Sequence, residues 1–207
     1  MTNKNFIDKI RAAYEKAHNL YEGDAGFNIK RGMAHSISGY VEDLFAVYMA
    51  KIFNKKHFQY LVDKVISIRL NQDEKAKSFK PDLMVIDEKV ITHYFDLKTN
   101  LGWNRELEKY LNAKDKFIES IKGKKAWITY SNKPTEHITI SKDIKYRMVV
   151  VFGWNINHDL LKANIKLAKS LKHVEIYVLY SKENKEDEFA INEQEFDRLI
   201  KDSKPGL

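Results

Sequence analysis

Two aspartates and a lysine stand where their side chains can meet. In Lys80–Asn100, "KPDLMVIDEKVITHYFDLKTN", Asp82 follows the chain's one Pro-Asp step, Asp96 lies fourteen positions on, and Lys98 is two beyond it. Successive side chains of a strand alternate faces. Asp96 and Lys98 therefore project together, with Thr92 and Tyr94, while Phe95 and Leu97 project the other way into a core. Residues 82–87 and 90–98 read as two strands joined by the polar turn Asp87-Glu88-Lys89. In that hairpin Asp82 is a cross-strand neighbour of Asp96, and two carboxylates and an ammonium converge.

Such a cluster has a definite chemical use. Paired carboxylates repel, which raises the energy of the doubly ionised state. A divalent cation relieves the repulsion, and hard oxygen donors with few protein contacts suit Mg²⁺. The ion lowers the pKa of a bound water and stabilises charge on a phosphoryl oxygen. A lysine beside it orients the water or stabilises the transition state. The arrangement suits phosphodiester hydrolysis. The triplet alone says little, because acid-x-Lys recurs at 73–75, 87–89, 143–145, 183–185 and 202–204, outside the expected strands. Only Asp96-Leu97-Lys98 lies inside an apolar strand. The plain alternative is a salt-bridged solvent face on an edge strand.

A third acid comes from an earlier helix. In "SGYVEDLFAVYMA" Glu42 sits beside Val41 and Phe45, at the margin of a stripe made by Val41, Leu44, Phe45, Tyr48 and Ile52. An acid there can add a carboxylate to the cluster, or be an ordinary solvated helix residue. Asp43 is the competing candidate, about 100° round the helix.

Pro81-Asp82 … Asp96-Leu97-Lys98, preceded by Glu42, resembles the PD-(D/E)xK nuclease superfamily. "RGMAHSISGYVEDLFA" (31–46) also looks like the opening helix of some type II restriction endonucleases, where a His-Ser-Ile-Ser stretch precedes a Glu-Asp pair. The resemblance covers about 31–100. It implies a four- or five-stranded mixed sheet flanked by helices and Mg²⁺-dependent DNA cleavage. Asp82 and Asp96 would be metal ligands, Lys98 the catalytic lysine and Glu42 the auxiliary acid on the metal. Aspartate at 96 replaces the commoner glutamate, and the family pattern admits either.

Around this cluster the periodicity alternates between helix and strand, the signature of an α/β domain with a mixed central sheet flanked by helices. Helices are expected at about 4–19, 36–53, 104–122, 158–171 and 192–202. Strands are expected at 60–70, 82–87, 90–98, 125–130, 137–141, 147–152 and 174–180. Residues 21–35 read as loop and 71–80 as a charged connection. In helix 104–122 Lys114 interrupts the row Leu107, Leu111, Ile118, so either it snorkels or the stripe shifts to Tyr110, Phe117 and Ile121. The whole chain, 1–207, reads as one nuclease domain with its catalytic core at about 36–152.

Composition agrees. The chain has 207 residues, 43 % of them hydrophobic, enough for a sizeable core. It has no cysteine, so thiolate metal sites and disulfides are excluded. No histidine pair has zinc-ligand spacing, no apolar run is long enough to span a membrane, and no signal-peptide core is present, so a cytoplasmic location is expected. Lys+Arg number 36 against 29 Asp+Glu, a formal charge of +7 that favours a polyanionic partner, nucleic acid above all. Candidate DNA contacts are Lys75, Lys77 and Lys80 along a phosphate backbone, Arg105 on backbone or a guanine edge, and Lys133 in "YSNKPTEH". Asn104 can contact DNA or cap the following helix, Trp103 is more simply a packing aromatic, and Asn157 suits a helix cap.

The expected activity is that of a type II restriction endonuclease cutting double-stranded DNA at a short sequence, as a homodimer matching the symmetry of its site. A junction-resolving or repair nuclease that reads DNA shape, and a non-catalytic nucleic-acid-binding module, are the alternatives.

Overall fold

Helix α1 (Asn3–Glu22) forms where Phe6, Ile7, Ile10 and Ala17 recur at helical spacing, and all four are buried. Helix α2 (Ser38–Phe53) buries Val41, Phe45, Tyr48 and Met49 by the same logic. It stops at Asn54, which takes a left-handed φ of 49° and donates its N–H to the Ala50 carbonyl, a conformation asparagine tolerates. The computed structural model describes residues 1–22, 37–71, 73–101, 106–154 and 157–204.

Strands β1 (Gln59–Val62), β2 (Ile66–Ile68), β3 (Lys77–Phe79) and β4 (Leu83–Asp87) follow. The sequence led us to expect one strand at 60–70 and a structureless connection at 71–80; the structure corrects both. β1 pairs with β4 and β2 with β3 on one continuous antiparallel count, Val62 opposite Leu83 and Ile66 opposite Phe79. They are two halves of one long hairpin, broken at 63–65 and 80–82. The break has a cause on each side. Asp63 adopts φ 51°, and Pro81 has no N–H to give to a ladder. Across the break the Asp63 N–H donates to the Asp82 carbonyl at 3.1 Å, and Lys80 Nζ lies 2.6 Å from Asp63 Oδ1. Asp82 is thus the residue at which the hairpin rejoins the sheet.

Strand β5 (Val90–Lys98) turns back on β4 through Glu88 and Lys89, at φ 45° and 67°. Two successive left-handed residues make the tight turn whose twist matches a hairpin. Pairing runs Leu83 to Phe95 and Val85 to His93, then slips so that Ile86 faces Ile91. Thr92 is the extra residue of a β-bulge. The strict alternation that was expected to set Thr92 beside Tyr94 fails there, and Ile91 joins Tyr94 in the same core instead.

The rest of the chain is α3 (Leu107–Ile121), β6 (Lys125–Ile128), β7 (Glu136–Ile140), β8 (Tyr146–Phe152), α4 (His158–Ser170), β9 (Val174–Ser181), β10 (Ala190–Ile191) and α5 (Glu193–Ser203). The expected cap Asn157 accepts from the N–H groups of Asp159 and Leu160 at 2.9 and 3.2 Å. The strands make one ten-stranded mixed sheet in the order β10-β9-β8-β5-β7-β6-β2-β3, with β4 on the other edge of β5 and β1 beyond it. The implied four or five strands correspond to its long central members; the surplus lies in short pieces of two to four residues.

β5 is central. Its start pairs in parallel with β7 and its end, Tyr94–Lys98, with Tyr146–Val150 of β8. β8 is buried along all seven residues, as a parallel strand covered on both faces must be. On one face α1, α2 and α5 cover a core that contains Phe45, Leu83, Phe95, Leu97 and Phe196. On the other, α3 and α4 cover Met84, Tyr94, Tyr146 and Met148. Among the described residues no helix is long and apolar enough to cross a membrane.

Candidate active site

One further step of the β4–β5 register sets Asp82 opposite Asp96. The Leu97 N–H donates to Asp82 Oδ2 at 2.6 Å, which fixes that carboxyl over the strand end. Asp96 is only 6 % exposed and faces the α3 side, as do Tyr94 and Tyr146. The two carboxyl groups are close enough for each to shift the other's proton affinity. Lys98 Nζ donates to Asp96 Oδ1, and the Tyr110 hydroxyl donates to Asp96 Oδ2 at 2.6 Å. The Tyr146 hydroxyl donates to that same oxygen. Because β5 has partners on both edges, the edge-strand alternative for Asp96 and Lys98 falls.

The two acids sit in opposite electrostatic circumstances. Burial, then the neighbouring Asp96 charge and hydrogen bond, push Asp82 up to about 7. Burial pushes Asp96 up too, but the Lys98 charge and the hydrogen bonds from Asp82, Lys98 and Tyr110 outweigh it and hold Asp96 below the carboxylate range. The pair therefore keeps one shared proton, resident on Asp82, well above the pH at which a lone carboxyl loses it. Burial and the Asp96 charge raise both tyrosines far above the phenol range, so they act as donors.

Glu42 is half-buried on α2 while Asp43 is exposed. Burial, then Asp63, raise the Glu42 carboxyl; Lys80 and Lys98 pull it down. The Lys98 charge thus reaches Glu42. Glu42 does not close up with Asp82 and Asp96 into a three-ligand group, and no such group of acids or histidines occurs among the described residues. The donor set nonetheless fits Mg²⁺. Two carboxylates suffice for an ion that keeps most of its waters, and the shared proton marks the place where positive charge is wanted.

The proposed DNA contacts are more dispersed. Lys75 and Lys77 are exposed, and Lys77 Nζ lies 4.0 Å from Glu74. Lys133 is exposed, with Nζ 5.9 Å from the Tyr130 ring. Trp103, Asn104 and Arg105 lie outside the described residues, and α3 starts at Leu107, not 104.

Sequence reasoning missed Tyr110 and Tyr146 as partners of Asp96. One signal was present: Lys114 in an otherwise apolar row. In the structure its ammonium lies 4.9 Å from the Tyr146 ring centre and 5.2 Å from that of Tyr110. The packed face takes in both rows, since Leu107, Leu111, Ile118 and Ile121 are buried and Tyr110 and Phe117 pack against the core, and Lys114 stays between them instead of snorkelling. Compared with protein-family models, curated proteins and solved structures, the chain matches none.

Proposed function

We propose that this chain is a Mg²⁺-dependent endonuclease of the PD-(D/E)xK kind, hydrolysing phosphodiester bonds of double-stranded DNA at a short specific sequence as type II restriction endonucleases do. The observation that carries the reading is the Asp82–Asp96 carboxyl pair, opposed across the end of a hairpin with the Leu97 N–H on Asp82 and Lys98 on Asp96. Asp82 and Asp96, both ionised, would hold Mg²⁺, which would supply a water of lowered pKa and neutralise phosphoryl charge. Lys98, partly exposed at the strand end, is placed to turn from Asp96 to a phosphoryl oxygen or the attacking water. Glu42 orients water on the α2 side. The surplus of basic residues favours a duplex backbone, and a homodimer matches the two-fold symmetry of a palindromic site.

The test is digestion of plasmid with Mg²⁺ followed by sequencing of the fragment ends, with Lys98→Ala as control. Discrete fragments with common ends support the reading. Cleavage confined to branched DNA transfers it to junction resolution. Wild-type cleavage no greater than that of Lys98→Ala ends the catalytic proposal.

A further inference from the structure

Asp96 is held by more than its neighbours on β5. Its Oδ2 accepts from two hydroxyls, Tyr110 of α3 and Tyr146 of β8, and those hydroxyls are 3.1 Å apart. Tyr146 lies beside Tyr94 in the β5–β8 register, so the sheet itself delivers it. Tyr110 is delivered by α3 from the opposite direction. One turn further along α3, Lys114 sits in a box of aromatic rings, 5.6 Å from the Tyr94 centre and 6.0 Å from that of Phe117 as well as close to Tyr110 and Tyr146. Its one hydrogen bond is to the Tyr94 hydroxyl at 3.4 Å, and among the described residues no carboxylate lies within ion-pair distance of it.

A half-buried ammonium without a carboxylate partner costs folding energy, and leucine or methionine would fill an apolar stripe better. The charge has another use. A cation over the faces of phenol rings draws electron density from them and makes their hydroxyls stronger donors. Both hydroxyls end on the same carboxylate oxygen.

We infer that Tyr110, Tyr146 and Lys114 are a positioning unit for Asp96: the two hydroxyls occupy Oδ2, so that Oδ1, which Lys98 holds in this structure, is the oxygen a cation would take, and Lys114 strengthens their grip from behind. This rests on the reading of Asp82 and Asp96 as a metal site. None of the three touches substrate or ion; they act through Asp96, as hydrogen-bond partners of metal ligands do in general.

The test uses the full chain and Mn²⁺ as the metal probe, with binding followed by electron paramagnetic resonance and folding followed by thermal unfolding. Tyr146→Phe and Tyr110→Phe keep their rings and lose only hydroxyls; Lys114→Met keeps length and loses charge. Each tyrosine variant should unfold cooperatively and bind Mn²⁺ about 10-fold or more weakly, and Lys114→Met should weaken it severalfold. If wild type binds Mn²⁺ and both tyrosine variants bind within about twofold of it, the positioning role is overturned while the metal site stands. If wild type binds no Mn²⁺, the inference and the metal-dependent reading fall together. Salt-sensitive DNA binding by the same preparations then shows whether a DNA-binding role survives.

Discussion

Asp82 stands opposite Asp96 across the end of the β4–β5 hairpin, yet their environments drive them apart. Asp96 has a lysine and two tyrosines to hold its charge. Asp82 accepts one backbone N–H and feels the Lys98 charge, but burial and the like charge of Asp96 outweigh both. The difference follows from position: Asp96 lies within a central strand between two layers, whereas Asp82 lies at the break that Pro81 makes in the long hairpin. One member is thus a fixed anion and the other a proton carrier, which suits a site that exchanges a proton for a cation.

That asymmetry has a consequence for stability. Asp82 is pushed up to about 7, so between the ordinary carboxylate range and neutrality the folded state binds more protons than the unfolded. Its stabilising contribution is present at low pH and is lost as pH rises through about 7. His93 works in the opposite sense. Burial, then Arg147, lower it to about 4, so its contribution is lost as pH falls towards that value. Comparison with Asp82→Asn isolates the acid pair. Without metal, the variant should gain on the order of 1–2 kcal/mol over wild type between pH 5.5 and 8, the full shift being discounted because solvent reaches Asp82. Urea titrations at both pH values with EDTA measure it, and Mg²⁺ should restore wild type selectively at pH 8. Parallel behaviour of the two proteins would remove the shared proton from the account.

Cleavage should respond differently to each member of the cluster. Asp82→Asn and Asp96→Asn should lower single-turnover cleavage about a thousandfold or more, equivalent to roughly 4 kcal/mol. DNA affinity should be kept or raised, because a charge that repels phosphate is gone. Lys98→Ala should cost about 10²–10³-fold with little change in Mn²⁺ binding. Joint loss of folding and DNA binding in the aspartate variants would make the cluster structural.

The nearness of Asp82 to Asp96 was legible in the sequence because a tight turn brings the two strand ends together, but the turn alone counts Asp82 opposite Phe95, and the bulge at Thr92 is what sets it opposite Asp96. Glu42 was legible as an acid at the edge of an apolar stripe, but only the burial of α2 against the sheet separates it from Asp43. Tyr146 was not legible. It meets Asp96 because β8 pairs with β5 in parallel, a choice made by sheet order and not by local pattern. The corner at Asp63 was hidden for a related reason: residues 60–70 alternate well enough for one strand, and what splits them is Pro81 on the opposing half of the hairpin. The bulge at Thr92 left no local mark either.

The hairpin turn offers a test of the fold that leaves the site alone. Lys89 holds φ 67°, where a side chain clashes with the backbone and glycine does not. Lys89→Gly should therefore stabilise by about 0.5–1 kcal/mol, the relief of strain exceeding the entropy glycine adds to the unfolded chain. The urea midpoint should rise with its slope unchanged, and cleavage should not move. A lower midpoint would place the turn in another conformation.

On the opposite face of the sheet from the carboxyl pair, α5 is tied down by buried charge. Arg147 Nη2 donates to the Asp202 carbonyl at 2.9 Å, and its Nε lies 3.0 Å from Glu175. His93 Nε2 lies 2.7 Å from the Ser203 carbonyl, so the neutral ring donates from that nitrogen. Both contacts meet the last carbonyls of the helix, where unpaired acceptors and the negative end of the dipole lie. Arg147→Met fills similar space but strips Glu175 of one of its two cations, leaving Lys145 at 2.5 Å. Removing one partner of a buried pair costs about 3 kcal/mol or more. The variant should unfold at correspondingly lower urea, with faster amide exchange confined at first to α5. Mn²⁺ binding should be unaffected below the unfolding transition, since Asp82, Asp96 and the two tyrosines lie on the α3 side. A loss of metal affinity in the folded variant would mean that the two faces of β5 are coupled, and that the α5 anchor helps to set the position of Asp96.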